Sequence, residues 1–369
     1  MQAAQIIEEE IQSPSEEIAG RLIQGTAGAL EMFSIYLGDQ LGYYRSLADG
    51  PLTSMQLAGR TSTQERYARE WLEQQAMSGI LIVDDEKAPA HRRRYRLADG
   101  AREVLADPDS REFFAPVTQM LAGMVRPVQM LATAFRSGGG VSPDDYGRDL
   151  REGQARLNRL VYLNELPQVW IPAVPGLRAR LTEAPAARIA DIGSGYGWSS
   201  IGLARAYPLV HVDGFDPDAP SVDAARAEAW VEDLHHRVRF HAVGAAEAGG
   251  DGEYDLVIAI DSVHAAADPV GMLMAMRRLA RPDGAVLVAA YRVGERFSPW
   301  NGTPDWFRYG ESVFHGLPSA MTGVHSAGTG SVLRPAMLRD YAAEAGFGNV
   351  DALPAGNGRF QVYRLHLPA

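Results

Sequence analysis

The stretch ARIADIGSGYGWSS, residues 187–200, sets three glycines at alternate positions between a short apolar run and a helix-like segment. Such a turn can cradle a dinucleotide or an adenosyl cofactor, or serve packing alone. A dinucleotide turn, G-x-G-x-x-G/A, needs a small third residue so that helix and strand close up. Counted from Gly193, that position holds Trp198; counted from Gly195 it holds Ser200, but the turn then begins two residues late. Asp191, just before the turn, would repel phosphates and can face a cation, which favours a sulfonium-bearing adenosyl cofactor over NAD. Twenty-five residues after Asp191, Asp216 ends the next strand-like run. At that point of a doubly wound sheet a carboxylate accepts hydrogen bonds from ribose hydroxyls.

The elements that must hold these residues alternate strand and helix from residue 187 onward. Strands are expected at RIADI (188–192), VHVDGFD (210–216), RVRFHAV (237–243), YDLVIAI (254–260) and AVLVAAY (285–291), the last preceded by an RPDG turn. Helices are expected through 199–207, near 220–232, over 269–280 and over 335–345. NVDAL (349–353) and GRFQVYRLHL (358–367) close the chain as an antiparallel pair. This rhythm predicts an α/β fold, a largely parallel Rossmann-like sheet of seven strands covered on both faces, the last strand antiparallel.

Residues 17–112 read as mainly helical, then as a hairpin. TSMQLAGRT (53–61) suits a short helix, and Ser62 with Glu65 forms an expected capping box for the next one. That helix carries Ala68, Trp71, Leu72 and Gln75 on one face, and ILIV (80–83) and YRL (95–97) flank a polar tip. The pattern is a winged helix. Its basic tip, His91 to Arg94, suits DNA phosphates or the solvated wing of a protein–protein or substrate-lid module, and the acidic chain favours the second. Breaks at ADPDSREFF (106–114) and SGGGVSPDDYG (137–147) divide the chain into 1–112, a helical stretch 113–180, and 181–369. Met120, Met124, Met130, Phe135, Tyr162 and Trp170 in the middle stretch read as core, with a share free to line an apolar substrate cavity.

A net charge of −11 over 369 residues argues against general binding to nucleic acid or anionic membrane. The absence of cysteine excludes disulfides, thiolate metal sites and a cysteine nucleophile. The acidic start, MQAAQIIEEEIQ, lacks the basic and apolar regions of a signal peptide, and no run of about 18 apolar residues suggests a membrane span. A soluble, cytoplasmic protein is expected.

The chain resembles class I S-adenosylmethionine-dependent methyltransferases of the bacterial type with an N-terminal winged helix. The resemblance runs through LGDQLGYYRSLADGPLTSMQLAGRT, ERYAREWLEQQAMSGIL, GGGVSPDDYGRDLREGQ, ADIGSGYGWSSIGLARAYP, YDLVIAIDSVHAAADP and GTGSVLRPAMLRDYAAEAGF. It implies that the N-terminal module dimerises or covers the site rather than binding DNA, giving a homodimer. It also implies that Asp191, Gly193, Ser194 and Gly195 hold the methionine end of the cofactor and that Asp216 and Pro217 hold its ribose side. Where the family often has an acidic residue facing adenine, this chain has Gly244, so adenine recognition would rest on backbone groups from Gly244 and Ala245 to Ala246. Asp261 and Ser262, at a strand end, are further cofactor candidates.

Methyl transfer needs an aligned nucleophile and a place for its proton. His264 falls at the catalytic-base position of related O-methyltransferases, where V-L-H-D-W-x-D is read here as S-V-H-A-A-A-D, with Ala265 where an orienting Asp is usual. Histidine titrates near working pH. A loop-rich insertion of about forty residues after the fifth strand is the expected roof of the substrate cavity. It supplies Arg308, Tyr309 and His315 as substrate contacts, with Tyr36 from the N-terminal module, while Trp300 and Trp306 either join that cluster or only stabilise the roof. Asp261, His264 and His315 lack the close spacing of a metal site, so none is expected. The expected reaction is methylation of a small organic acceptor, a secondary metabolite, on oxygen in preference to nitrogen or carbon, with S-adenosylhomocysteine as product. Alternatives are an enzyme that keeps the cofactor without transferring its methyl, and a cofactor-sensing winged-helix regulator.

Overall fold

A computed structural model describes residues 13–299, 305–323, 325–356 and 358–368. Trp300 and the acidic start at 1–12 lie outside the described residues. The chain divides into two compact units, residues 1–118 and 119–369, so the helical stretch after residue 118 falls within the second.

The first unit begins with α1 (Pro14–Gln40), whose N-cap Ser13 and Glu16 form a capping box. It continues through α2 (Tyr43–Leu47), β1 (Leu52–Thr53), α3 (Ser54–Thr61), α4 (Glu65–Met77), β2 (Leu81–Val83), β3 (Arg94–Leu97) and α5 (Ala101–Leu105). The three short strands pair antiparallel in the order β1-β3-β2, the wing of a winged helix. Ala68, Trp71, Leu72 and Gln75 are all buried, as their common face predicts. Ser62 does not cap α4. It ends α3 with a left-handed backbone, φ +55°, and the N-cap of α4 is Gln64; the capping box sits one helix earlier, at Thr53 and Gln56. Gly38 lets α1 approach α4, since a Cβ there would lie 2.4 Å from the Trp71 ring. At the basic tip His91 and Arg92 are exposed, whereas Arg93 pairs with Glu73 at 3.0 Å and Arg94 donates to the Pro51 carbonyl.

The division between units falls on α6 (Pro116–Val125), followed by α7 (Val128–Ser137) and α8 (Pro143–Leu160). Gly147, at φ +73°, breaks α8 after its first turn, in keeping with the Gly/Pro/Asp cluster there. α8 runs on into π-helical turns at Val161–Trp170, which contain Pro167, and then comes α9 (Leu177–Thr182). Met120, Met124 and Trp170 are buried, whereas Met130 and Phe135 are exposed.

The Rossmann-like core follows: β4 (Arg188–Ile192), α10 (Trp198–Ala206), β5 (His211–Phe215), α11 (Ala219–Val231), β6 (Val238–His241), β7 (Tyr254–Ile260), α12 (Pro269–Leu279) and β8 (Ala280–Tyr291). After β8 the expected loop contains α13 (Asp305–Glu311), π-helical turns at Ser312–Gly316 and α14 (Leu317–Ala320). α15 (Pro335–Glu344), β9 (Asn349–Gly356) and β10 (Phe360–His366) end the chain. The sheet order is β6-β5-β4-β7-β8-β10-β9, with β10 antiparallel to both neighbours and the other strands parallel. β4 and β7 lie side by side, and strand order reverses between them, which places a ligand crevice at their carboxyl ends. The fully buried run Tyr254–Ile260 is what a central strand covered on both faces requires.

Candidate active site

The glycine turn occupies that crevice. Gly193 and Ser194 donate their N–H groups to the Phe215 carbonyl at 2.8 and 3.2 Å, folding the turn over the end of β5. Gly193 is held to glycine twice over: its φ is +74°, and a Cβ would stand 2.4 Å from that of Ser262. Gly195 donates to Asp216 Oδ2 at 2.8 Å, and Asp218 donates to Asp216 Oδ1 at 2.8 Å. Burial raises the Asp216 carboxyl above its ordinary range, against these two bonds.

A cavity of about 240 Å³ opens over this turn. Gly193, Ser194, Gly195 and Asp216 line one part of it, and Asp261, Ser262, His264 and His315 line another. The N-terminal-side helix contributes Arg151, Gln154, Asn158 and Tyr162, residues that recur at helical spacing along α8 and its π-helical continuation. Gly202 of α10 positions Tyr162, because a Cβ there would lie 2.3 Å from the Tyr162 carbonyl oxygen. Arg151 is committed to Asp144 and Asp218 at 2.7 and 2.6 Å.

At the end of β7 the backbone of Asp261 turns left-handed, φ +51°, and a single 3-10 turn, Val263–Ala265, follows. His264 Nδ1 thereby stands 3.3 Å from Asp261 Oδ1, with both side chains buried. Burial, helped by the Arg308 charge, lowers the His264 pKa to about 3, so the imidazole is neutral at working pH. The same causes, with His264 as a further neighbour, lower His315 to about 3. Two neutral imidazoles therefore face one cavity.

Residues 190–286 match the family described as a methyltransferase domain, and residues 29–106 match the Rv2258c-like winged HTH domain. The chain carries a methyltransferase domain behind a winged HTH domain, and its activity is that of an S-adenosylmethionine-dependent methyltransferase. The ubiquinone biosynthesis O-methyltransferase of Aromatoleum aromaticum is 27% identical over 206 residues, 55% of this chain and 79% of that one. Among solved structures, mitomycin 7-O-methyltransferase is 21% identical with a TM-score of 0.67, covering 96% of this chain and 98% of its own. Human N-acetylserotonin methyltransferase is 18% identical with a TM-score of 0.69, covering 97% of this chain and 100% of its own. These two likenesses show the shared fold.

The methyltransferase site fits its cofactor on three observations. An ionised carboxylate has about four acceptor positions, and Asp216 uses one on Gly195 and one on Asp218, leaving acceptor capacity beside the cavity. The Ser194 hydroxyl is buried without a protein partner. Asp261 Oδ2 is likewise buried and unpartnered on the cavity wall. Buried polar groups normally find partners, so two unmet ones on the cavity wall fit a site that receives a polar ligand.

Other expected residues lie elsewhere. Asp191 is 1% exposed and faces away from the lining, accepting the Ser199 and Ser200 hydroxyls at 2.5 and 2.7 Å; burial raises its pKa to about 6. It braces the turn against the start of α10. Pro217, Gly244 and Ala245 follow β5 and β6 outside the lining. Arg308 is 3% exposed, and its guanidinium binds Asp261, Glu311 and the Ser331 carbonyl, so the structure places it beneath the site rather than on the cavity wall. Tyr309 is partly exposed and accepts from Arg334 at 3.1 Å, also outside the lining. Trp306, expected to join the substrate contacts or stabilise the roof, is 76% exposed. Tyr36 sits half-buried on α1 in the first unit. Among the described residues the three-donor grouping with metal-like spacing is Asp233, His235 and His236, exposed after α11 and remote in sequence from the expected site residues.

Arg151, Gln154, Asn158 and Trp198 line the cavity without being singled out for it by the sequence, whereas Tyr162, expected in the core or on a substrate-cavity wall, lines it. The signal for Arg151, Gln154 and Asn158 is a polar stripe at spacings of three and four before the π-helical turns, continued by Tyr162 within them; Trp198, at the start of α10, lies outside it. Asp261 Oδ1, 3.3 Å from His264 Nδ1, is signalled in the sequence only by the D-x-x-H spacing of the two residues.

Proposed function

We propose that this methyltransferase methylates a hydroxyl group of a small organic acceptor, with His264 receiving the hydroxyl proton. The observation that carries the reading is His264 itself, a neutral imidazole on the cavity wall with Asp261 behind its Nδ1. S-adenosylmethionine, when bound, supplies a methyl group on a sulfonium, an electrophile with a good leaving group. Asp216 would hold the two ribose hydroxyls with its remaining acceptor positions, and Ser194 and the Gly193–Gly195 backbone would take the methionine end.

The acceptor hydroxyl would donate to His264 Nε2, which aligns its oxygen and gives the proton a destination. An O–H becomes far more acidic as its oxygen forms a new bond to carbon, so a weak neutral base on the spot is sufficient. His315 would offer a second neutral ring nitrogen to the same acceptor. The names of the relatives, which refer to mitomycin, N-acetylserotonin and ubiquinone biosynthesis, support a small organic acceptor, a secondary metabolite among them.

The same reading makes the enzyme a homodimer. Residues 21–30 of α1 are all exposed on the single chain, and Ile23, Leu30 and Leu37 repeat at seven-residue intervals. A bare apolar stripe on a helix supports pairing with a second copy.

Calorimetric titration with S-adenosylmethionine is the first test, with micromolar binding expected. Lack of binding by the folded protein overturns the proposal. Release of S-adenosylhomocysteine with a panel of phenolic acceptors, lost in His264→Ala, is the second. Unchanged turnover by His264→Ala across pH removes His264 from the mechanism.

A further inference from the structure

Beneath the cavity lies a buried charged cluster that simple cofactor binding does not require. Arg308 and Glu311 are 3% and 5% exposed, and the Asp261 side chain is 4% exposed. Burying two carboxylates around one guanidinium is costly, and apolar residues of similar size often serve stability as well or better. The cluster therefore calls for a use other than holding the fold.

Its geometry indicates the use. The Arg308 fork reaches Asp261 Oδ1 through Nη2 at 3.2 Å and Glu311 through Nη1. Nε and Nη2 both donate to the Ser331 carbonyl, at 3.2 and 3.1 Å. The guanidinium plane lies over the Tyr291 ring, 4.1 Å from its centroid. A planar fork engaged in this way cannot rotate without breaking several contacts at once. Asp261 Oδ1 is consequently fixed, and it is the atom 3.3 Å from His264 Nδ1.

We infer that Arg308 and Glu311 are positioning residues for His264. They act through Asp261, holding the imidazole proton on Nδ1 and leaving Nε2 open to the acceptor. The inference rests on the reading of His264 as proton acceptor only for its catalytic consequence; the imidazole tautomer is a property of the protein alone. The charged and titratable groups around the cluster are Asp261 from the end of β7, Arg308 and Glu311 from α13, His315 from the turns after it, Tyr291 from β8, Tyr162 from the π-helical turns and Arg359 ahead of β10. Arg308 opposes a second proton on His264, in line with the low basicity of that ring. Glu311 offsets the Arg308 charge, so that the fork is not drawn wholly to Asp261.

The test is nitrogen-15 NMR of histidine-labelled full-length protein, with the His264 signal assigned by its loss in His264→Gln. Wild type should show one tautomer, protonated at Nδ1, and no ring protonation down to a pH of about 5, well below the ordinary histidine range. Arg308→Lys keeps the charge and loses the fork, and Glu311→Gln keeps the shape and loses the charge. Both should give mixed tautomers and a fall in kcat of about 10- to 100-fold, part of the full contribution of a general base. Their KM for S-adenosylmethionine should change little. Glu311→Gln, the milder change, carries the test if Arg308→Lys does not fold. An unchanged His264 tautomer in folded Glu311→Gln or Arg308→Lys overturns the inference. Wild-type turnover by His264→Ala, by contrast, overturns the role of His264 as base and leaves the tautomer result standing.

Discussion

Asp216 Oδ2 accepts the N–H of Gly195 at 2.8 Å, tying the end of the second core strand, β5, to the glycine turn that follows the first, β4. One carboxylate thus shapes the turn and keeps acceptor positions for a ligand. Asp216→Ala removes both functions, and Asp216→Asn retains one acceptor oxygen. With hydrogen bonds to a charged group worth about 1.5–3 kcal/mol each, Asp216→Ala should weaken S-adenosylhomocysteine binding by about 100-fold or more. Asp216→Asn should lose about 10-fold on the same scale. Calorimetry on the two variants decides it, and equal affinities in wild type and Asp216→Ala would remove Asp216 from the site.

Gly193 and Ser262 are packed so closely that no side chain fits at 193. Gly193→Ala should therefore lower stability by about 1–3 kcal/mol, from a left-handed backbone and a steric clash together. Adding Ser262→Gly relieves the clash and leaves the φ of +74° unfavourable, so the double variant should recover part of the loss. Urea unfolding of the three proteins measures both contributions. Full recovery in the double variant would show that the clash alone mattered.

Local backbone chemistry explains why the turn was legible in the sequence. Glycines at alternate positions, an acid ahead of them and an acid at the next strand end are all short-range signals, and the alternation of strands and helices set the sheet around them. Asp261 and Arg308 were read differently because their partnership spans 47 residues and lies in tertiary packing. The Ala265 position drew attention to a missing orienting acid, yet a left-handed residue and one 3-10 turn bring Asp261 to the imidazole from upstream. Asp191 was expected to touch the cofactor because of its place in the motif. Its burial against Ser199 and Ser200 follows from the course of α10, which a residue pattern does not specify. Ser62 matched a capping pattern, but the left-handed turn it adopts ended one helix and moved the start of the next to Gln64.

The neutral state of His264 has a consequence for folding. Its pKa is about 3 in the folded chain, against about 6.5 when unfolded. Below pH 6.5 the unfolded chain binds a proton that the folded chain refuses, so stability falls as pH drops from about 6.5 toward 3. At pH 5 this group alone should cost about 2 kcal/mol relative to pH 7. The urea midpoint of wild type should decline over that window, and His264→Gln should show a shallower decline. Identical pH slopes in the two proteins would mean that His264 takes up its proton in the folded state at an ordinary pH.

The apolar stripe on α1 gives the last prediction. Ile23, Leu30 and Leu37 are 71%, 64% and 50% exposed on the isolated chain and repeat every seven residues, a spacing that keeps them on one helical face. Fully burying each side chain is worth about 1.5–3 kcal/mol, so a helix pair that covers the stripe gains enough to hold two chains together. Light scattering behind size exclusion should find a dimer at micromolar concentration. Ile23→Glu with Leu30→Glu places charges in the same seam, and on the scale of about 1.4 kcal/mol per tenfold should weaken association by 100-fold or more. The variant should elute as a monomer with an unchanged helical circular dichroism spectrum, because these side chains have little cover within their own chain to lose. A monomeric wild type at that concentration, or a variant that remains dimeric, would show that α1 does not form the interface.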